Sequence, residues 1–181
     1  SEIEKLRAEN QKLHLLHDLS KALNQADGYE ELTSAVLSTL INKMNVDWGA
    51  IGQVLVINQQ ITNWTVDGQP AKKAQIKKIL HKSHTIPLPI EGNEVARSVL
   101  RAKPSTDTQD ALGKFRIYPL IWGQLPLGVL ILPADRIEND HELMVEISEQ
   151  ISIRLGIMQN RLRRARDTAV EEERNRIAID M

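Results

Sequence analysis

Five histidines are the residues best placed to do chemistry in this 181-residue chain, which contains no cysteine. His81 and His84 stand three apart in HKSH, a spacing that could serve a metal ion. No cluster of further ligands accompanies them, and a basic pair ending a helix is favourable by itself, because it meets the negative end of the helix dipole. No metal site and no cofactor are therefore expected. His14 and His17 fall in an N-terminal helical stretch and His141 in the first turn of another, so all three read as surface or seam residues. The absence of cysteine removes thiol nucleophiles, thiolate metal ligands and disulfides. No Gly-rich phosphate-binding loop occurs either. With no catalytic constellation in view, the chain is not expected to be an enzyme.

Binding residues are easier to find. In KFRIYPLIW the two-residue period of a strand places Arg116, Tyr118, Leu120 and Trp122 on one face, with Phe115, Ile117 and Ile121 on the other. An arginine and a tyrosine on an otherwise apolar face would suit a small anion or a polar metabolite. Trp48 and Trp64 each occupy a sheet surface, where core packing competes with stacking on a ligand.

The elements that must position these residues follow from periodicity. Residues 2–25 carry Ile3, Leu6, Leu13, Leu16 and Leu23 in a narrow stripe, with Asn10 in the Ile3 register, the pattern of a coiled-coil seam. Asp27 and Glu30 can cap a second helix with Leu32, Val36, Leu37, Leu40 and Met44 inward. DWGAIGQVLVI and ITNWTV then read as a hairpin. Pro70 opens a basic amphipathic helix with Ile76, Ile79 and Leu80 inward. IPLPIEG is extended, Asn93 caps a short helix EVARSVLRA, and STDTQDA reads as a loop. KFRIYPLIW and LPLGVLIL are strands joined tightly at Gly123-Gln124, with Pro119 and Pro126 leaving gaps that suit edges or bulges. From Asn139 onward the pattern is one long helix, with Ile151, Leu155, Met158, Leu162, Ala165 and Ala169 in a heptad seam.

Composition bounds the partners. Lys and Arg total 23 against 24 Asp and Glu, a net charge of −1, so no global field would hold nucleic acid or an anionic membrane. No apolar run approaches the ~20 residues of a membrane-spanning helix. Cysteine-free composition fits a cytoplasmic setting, with no membrane contact in this piece. The chain starts without methionine and stops inside a helical pattern, so it is expected to be part of a longer protein whose membrane anchor could lie elsewhere.

The order of helix, hairpin and helix, then IPLPIEGNEVARSVLRAKPSTDT, then RIYPLIWGQLPLGVLIL and an exit helix resembles the GAF family across residues 29–162. The Ile86–Asp107 stretch looks like its Pro-Leu strand, Glu-Gly turn, short helix and Thr-Asp; Tyr118-Pro119-Leu120 and Gly128-Val129-Leu130 match its paired strands. The resemblance implies an α+β fold with a central antiparallel sheet, flanked by long N- and C-terminal coiled-coil helices. It also implies a ligand pocket between one sheet face and residues 68–112, with His84 near its mouth and Arg116, Tyr118 and Trp64 as further ligand-binding candidates. GAF relatives that reduce methionine sulfoxide, attach a bilin or hold an iron–sulfur cluster do so through cysteines, which this chain lacks. No residues fit a cyclic nucleotide.

At the far end, EERNRIAIDM (Glu172–Met181) looks like the start of the dimerisation helix of nitrate-sensor-like histidine kinases, with Ile179 where arginine is usual. The implied organisation is a signalling helix at 1–26, a GAF-like sensory domain at 27–165, and a linker opening the kinase dimerisation helix at 166–181. The implied function is that of a regulatory domain of a two-component sensor histidine kinase. Its expected partners are a second copy, through Leu6, Leu13, Leu155, Met158 and Leu162, a small-molecule ligand, and a response regulator reached through the kinase region. The alternatives are a ligand-free dimerisation and transmission module, or a GAF domain regulating a serine phosphatase or a cyclic-dinucleotide enzyme.

Overall fold

Apolar residues repeating at three and four positions, then at two, divide the chain into helices and strands that share one sheet. The structure, a computed structural model, describes residues 1–55, 60–82, 86–87, 105–110, 113–137 and 140–180, with side chains described outside 77–113 and 180. The elements are α1 (Glu2–Gln25), α2 (Tyr29–Met44), β1 (Trp48–Leu55), β2 (Gln60–Gly68), α3 (Pro70–Lys82), β3 (Ile86–Pro87), β4 (Ser105–Asp110), β5 (Gly113–Trp122), β6 (Leu125–Pro133) and α4 (His141–Asp180). The strands run in the order β3-β2-β1-β6-β5-β4, and every pairing is antiparallel. Four long strands form the centre, with short β3 and β4 at the edges.

Strand alternation gives the sheet two apolar faces. One buries Ile51, Tyr118, Leu120, Leu130 and Leu132 against α1, α2 and α4. The other gathers Trp48, Ala50, Ile61, Phe115, Ile117 and Ile131, with Ile76 of α3. Of the expected stripe on α1, Leu23 is buried and Leu16 partly buried, while Ile3, Leu6 and Leu13 are exposed; the buried row runs instead through Leu15, Leu19 and Leu23, four apart. The second half of α1 thus belongs to the same core as the strands, and a boundary at residue 26 does not separate it from them. Arg154 Nε donates to the carbonyl of Leu23 at 3.0 Å, serving an α1 terminus whose own last turn has no basic residue. Asp18 and Lys43 join α1 to α2 at 3.0 Å, and that bond holds the Asp18 carboxyl below its ordinary range.

Met144, Ile147, Ile151 and Leu155 recur along α4 at three and four positions and are buried. Between them, Ser148 and Ser152 turn their hydroxyls back to carbonyls four residues earlier, at 2.8 and 2.6 Å, so small polar groups sit against the sheet without loss of hydrogen bonding. Gly156 lies under the Trp122 indole, leaving no room for a side chain. From 161 to 179 every residue of the helix is exposed, a length of roughly 28 Å at about 1.5 Å per residue.

Two local expectations change. The polar stretch read as a loop at STDTQDA is edge strand β4, paired from Asp110↔Gly113 to Ser105↔Ile117, because an edge strand needs backbone partners on one side only. The α2 cap sits one residue later than Asp27: Gly28 is the cap residue without a side-chain bond, and Glu31 reaches back to the Asp27 N–H at 3.2 Å. Asn139 and the short helix beginning at Asn93 lie outside the described residues. The β5–β6 connection is the expected two-residue turn, with Gly123 at φ 63°, a positive value that favours glycine. Pro126 sits at the bulge where register shifts between Leu120 and Ile121.

If α1 is part of the core, Leu19→Ala should lower unfolding free energy by about 2–5 kcal/mol in urea denaturation. A loss under ~1 kcal/mol would mean that α1 merely lies on the surface.

Candidate functional site

The face of the sheet carrying α3 holds an aromatic group built from three strands. Trp48 on β1 and Phe115 on β5 meet edge to face, with ring centroids 6.3 Å apart and planes at 66°. Trp64 on β2 lies across Gly52 of β1: a Cβ at residue 52 would stand 2.9 Å from both the Trp64 ring and Ile61 Cγ2. The glycine is therefore what lets the indole lie flat on the sheet. Asn63, beside it, takes a left-handed φ of 53° at the β1–β2 irregularity between Ile51 and Gln53. Its side-chain amide donates to Gln53 Oε1 at 2.7 Å. Trp64 Nε1 is buried and, among the described residues, has no hydrogen-bond partner. A desolvated N–H of this kind lacks about 1–3 kcal/mol that an acceptor would restore.

The structure separates the residues that sequence reasoning grouped as one site. Arg116 and Tyr118 do share a face, but it is the one covered by α1, α2 and α4, opposite Trp64. Tyr118 is buried in that helical core, beside a cleft of about 280 Å³ between β5 and α4 that includes Ser148 and Glu149. Arg116 Nη1 donates to the Ile137 carbonyl at 3.2 Å, so it braces the segment entering α4. Strand alternation separates two faces without saying which one long helices will cover, and that is why the pairing with Trp64 failed. His84 lies outside the described residues. Among the described residues no group of three His, Cys, Asp or Glu could hold a metal, and no helix is long and apolar enough to cross a membrane.

The five candidate interface residues also part company. Leu6, Leu13 and Leu162 are exposed. Met158 is half-buried against the core. Leu155 is 1% exposed, packed inside its own chain, and cannot be an interface residue; the seam drawn through it is the face α4 turns to its own domain. Outside that seam, Ile153 is 52% exposed, with half-buried Ile157 one turn on. Their four-residue spacing, flanked by Gln150 and Asn160 at three, marks a short second stripe in the sequence, overshadowed by the longer one.

No protein-family model matches the chain, and no curated protein matches it. Solved structures do. The GAF domain of an Acinetobacter phosphoenolpyruvate-protein phosphotransferase superposes with a TM-score of 0.64 at 16% identity, covering 83% of this chain and 96% of that one. The fold is the GAF fold. The GAF domain of the potassium sensor histidine kinase KdpD from Escherichia coli gives 0.59 at 14%, covering 83% and 97%. Free methionine-R-sulfoxide reductase from Neisseria meningitidis, solved with its substrate, gives 0.63 at 13%, covering 82% and 90%. At these identities the likeness speaks for the fold alone.

Within this GAF fold, Gly52→Ala tests the Trp64 cradle. It should displace the indole, changing tryptophan emission and destabilising the domain by about 1–3 kcal/mol. Unchanged emission and stability would show that Trp64 does not lie on Gly52.

Proposed function

We propose that the chain is the regulatory GAF module of a two-component sensor histidine kinase, and that it relays a signal through paired helices to a kinase region. The observation that carries this reading is α4: one unbroken helix that packs on the sheet as far as residue 160 and then runs on exposed, with Leu162, Val170 and Ile177 uncovered. A monomer leaves those side chains in water, and a partner helix would cover them. The EERNRIAIDM end supports an output of the nitrate-sensor-like type, with a response regulator as eventual partner. A sensor-kinase GAF domain among the structural neighbours is consistent with it.

In this reading the chain forms a parallel homodimer, with Leu6 and Leu13 of α1 and Leu162 of α4 at the contact. It has no catalysis of its own. Sensing would use the α3 face, where the Trp64 N–H offers a donor to a small polar ligand. That a GAF-fold neighbour was solved with its substrate supports binding by such a domain. A ligand-free transmission module is the second reading, favoured by how fully Ile61, Ile76, Ile117 and Val129 fill the same face. GAF control of a serine phosphatase or a cyclic-dinucleotide enzyme would use the same helix with a different output.

The absence of cysteine makes the dimer directly testable. Leu162→Cys should form a disulfide-linked dimer under mild oxidation at low micromolar concentration, whereas Arg161→Cys, on a different side of α4, should not. Equal cross-linking of both, or of neither, would contradict parallel pairing through α4. For sensing, a metabolite screen should raise the melting temperature of the wild-type chain but not of Trp64→Phe, which lacks the N–H. A screen with no shift favours the transmission module.

A further inference from the structure

Where α4 leaves the domain, it forms one wall of a groove whose other wall is the β5–β6 hairpin. The cavity is about 630 Å³, within the range of approximately 300–1,000 Å³ typical of ligand sites. Its floor includes Leu55, Trp122, Leu125 and Gly156, and its rim carries Arg163 and Arg166. Trp122 is 37% exposed and Leu125 51% exposed. Gly156 sets the depth, since any side chain there would meet the Trp122 ring. Among the described residues no carboxylate lines the groove and neither arginine has an ion-pair partner. Tryptophan and arginine are the side chains that most often dominate binding energy at interfaces.

We propose that this groove is a docking site for an acidic amphipathic helix of another protein, whose apolar stripe lies on Trp122 and Leu125 and whose carboxylates meet Arg163 and Arg166. It goes beyond the signalling role proposed above and does not depend on it. Charge selects the occupant. A second copy paired in parallel through Leu162 would place only arginines at this level, so it could not supply the carboxylates that Arg163 and Arg166 would meet. The glutamates at 171–173 belong to the same unbroken α4 and cannot fold back. Shape argues against a membrane, because a flat bilayer cannot enter a cleft between hairpin and helix. A helix laid in a groove beside another helix matches the shape, and its apolar residues at three- and four-residue spacing would reach the floor.

The test uses two fluorescein-labelled synthetic peptides of about 18 residues, roughly 27 Å long as helices. Both carry leucines at helical spacing; one has glutamate and the other lysine at the remaining positions. Fluorescence anisotropy with the full chain should show binding of the glutamate peptide alone, weakening as salt rises. Arg163→Glu combined with Arg166→Glu, on the exposed part of α4, should weaken it at least ~10-fold, and Leu125→Glu should do the same from the floor. Trp122 is left in place, since its ring fills the space over Gly156. Equal binding of both peptides, binding of neither, or indifference to the charge variants would overturn the proposal. So would co-sedimentation with mixed phosphatidylserine and phosphatidylcholine vesicles without glutamate-peptide binding, which would make the surface a membrane contact.

Discussion

Everything in this molecule depends on the contact between the second half of α1 and the first half of α4 over one sheet face. Leu15, Leu19 and Leu23 meet a core that holds Met144, Ile147, Ile151 and Leu155. Apolar burial is non-directional, but the Arg154 bond to the Leu23 carbonyl fixes how far one helix can slide along the other. The entering and leaving segments are therefore held in one packed body, and neither hangs from the domain by a loop. Close-packed interiors do not deform continuously. A shift of α1 must accordingly be met by a shift of α4 or by a change at the sheet beneath both.

That arrangement gives the two sheet faces different work. The helical face is structural: Tyr118 is buried there, and Arg116 holds the Ile137 carbonyl at the approach to α4. The α3 face carries the one described tryptophan N–H that is buried without a partner, along with the aromatic contact of Trp48 and Phe115. Burial also pushes the Tyr29 hydroxyl well above its ordinary range, keeping it neutral where α2 meets the Asn63 carbonyl. A ligand on the α3 face would reach the helices through β1, whose Ile51 and Ala50 point to opposite cores.

Much of the fold was legible because local signals agreed. Alternation in KFRIYPLIW gave the correct two faces, Gly123-Gln124 gave the turn, and Leu32, Val36, Leu37 and Leu40 gave the buried side of α2. The site was less legible. Which face would receive long helices is decided by how separate elements pack together, and nothing in a nine-residue strand encodes it; Arg116 and Tyr118 were therefore assigned to the wrong neighbours. On α4 two apolar phases overlap, Ile151-Leu155-Met158 inward and Ile153-Ile157 outward. A seam chosen by heptad count alone took the inward one. STDTQDA, polar throughout, carried no apolar alternation to mark an edge strand held by its backbone.

Native-state hydrogen exchange resolved by residue tests the central claim most directly. If α1 and α4 are one cooperative body, the amides of Leu19, Leu23, Ile147 and Ile151 should exchange only through global unfolding, with a common free energy and a common denaturant dependence. Residues 161–179 should exchange faster. Exchange of α1 through a separate, lower-energy opening while α4 remains protected would show that the entering helix is not coupled to the leaving one, and the account would fail.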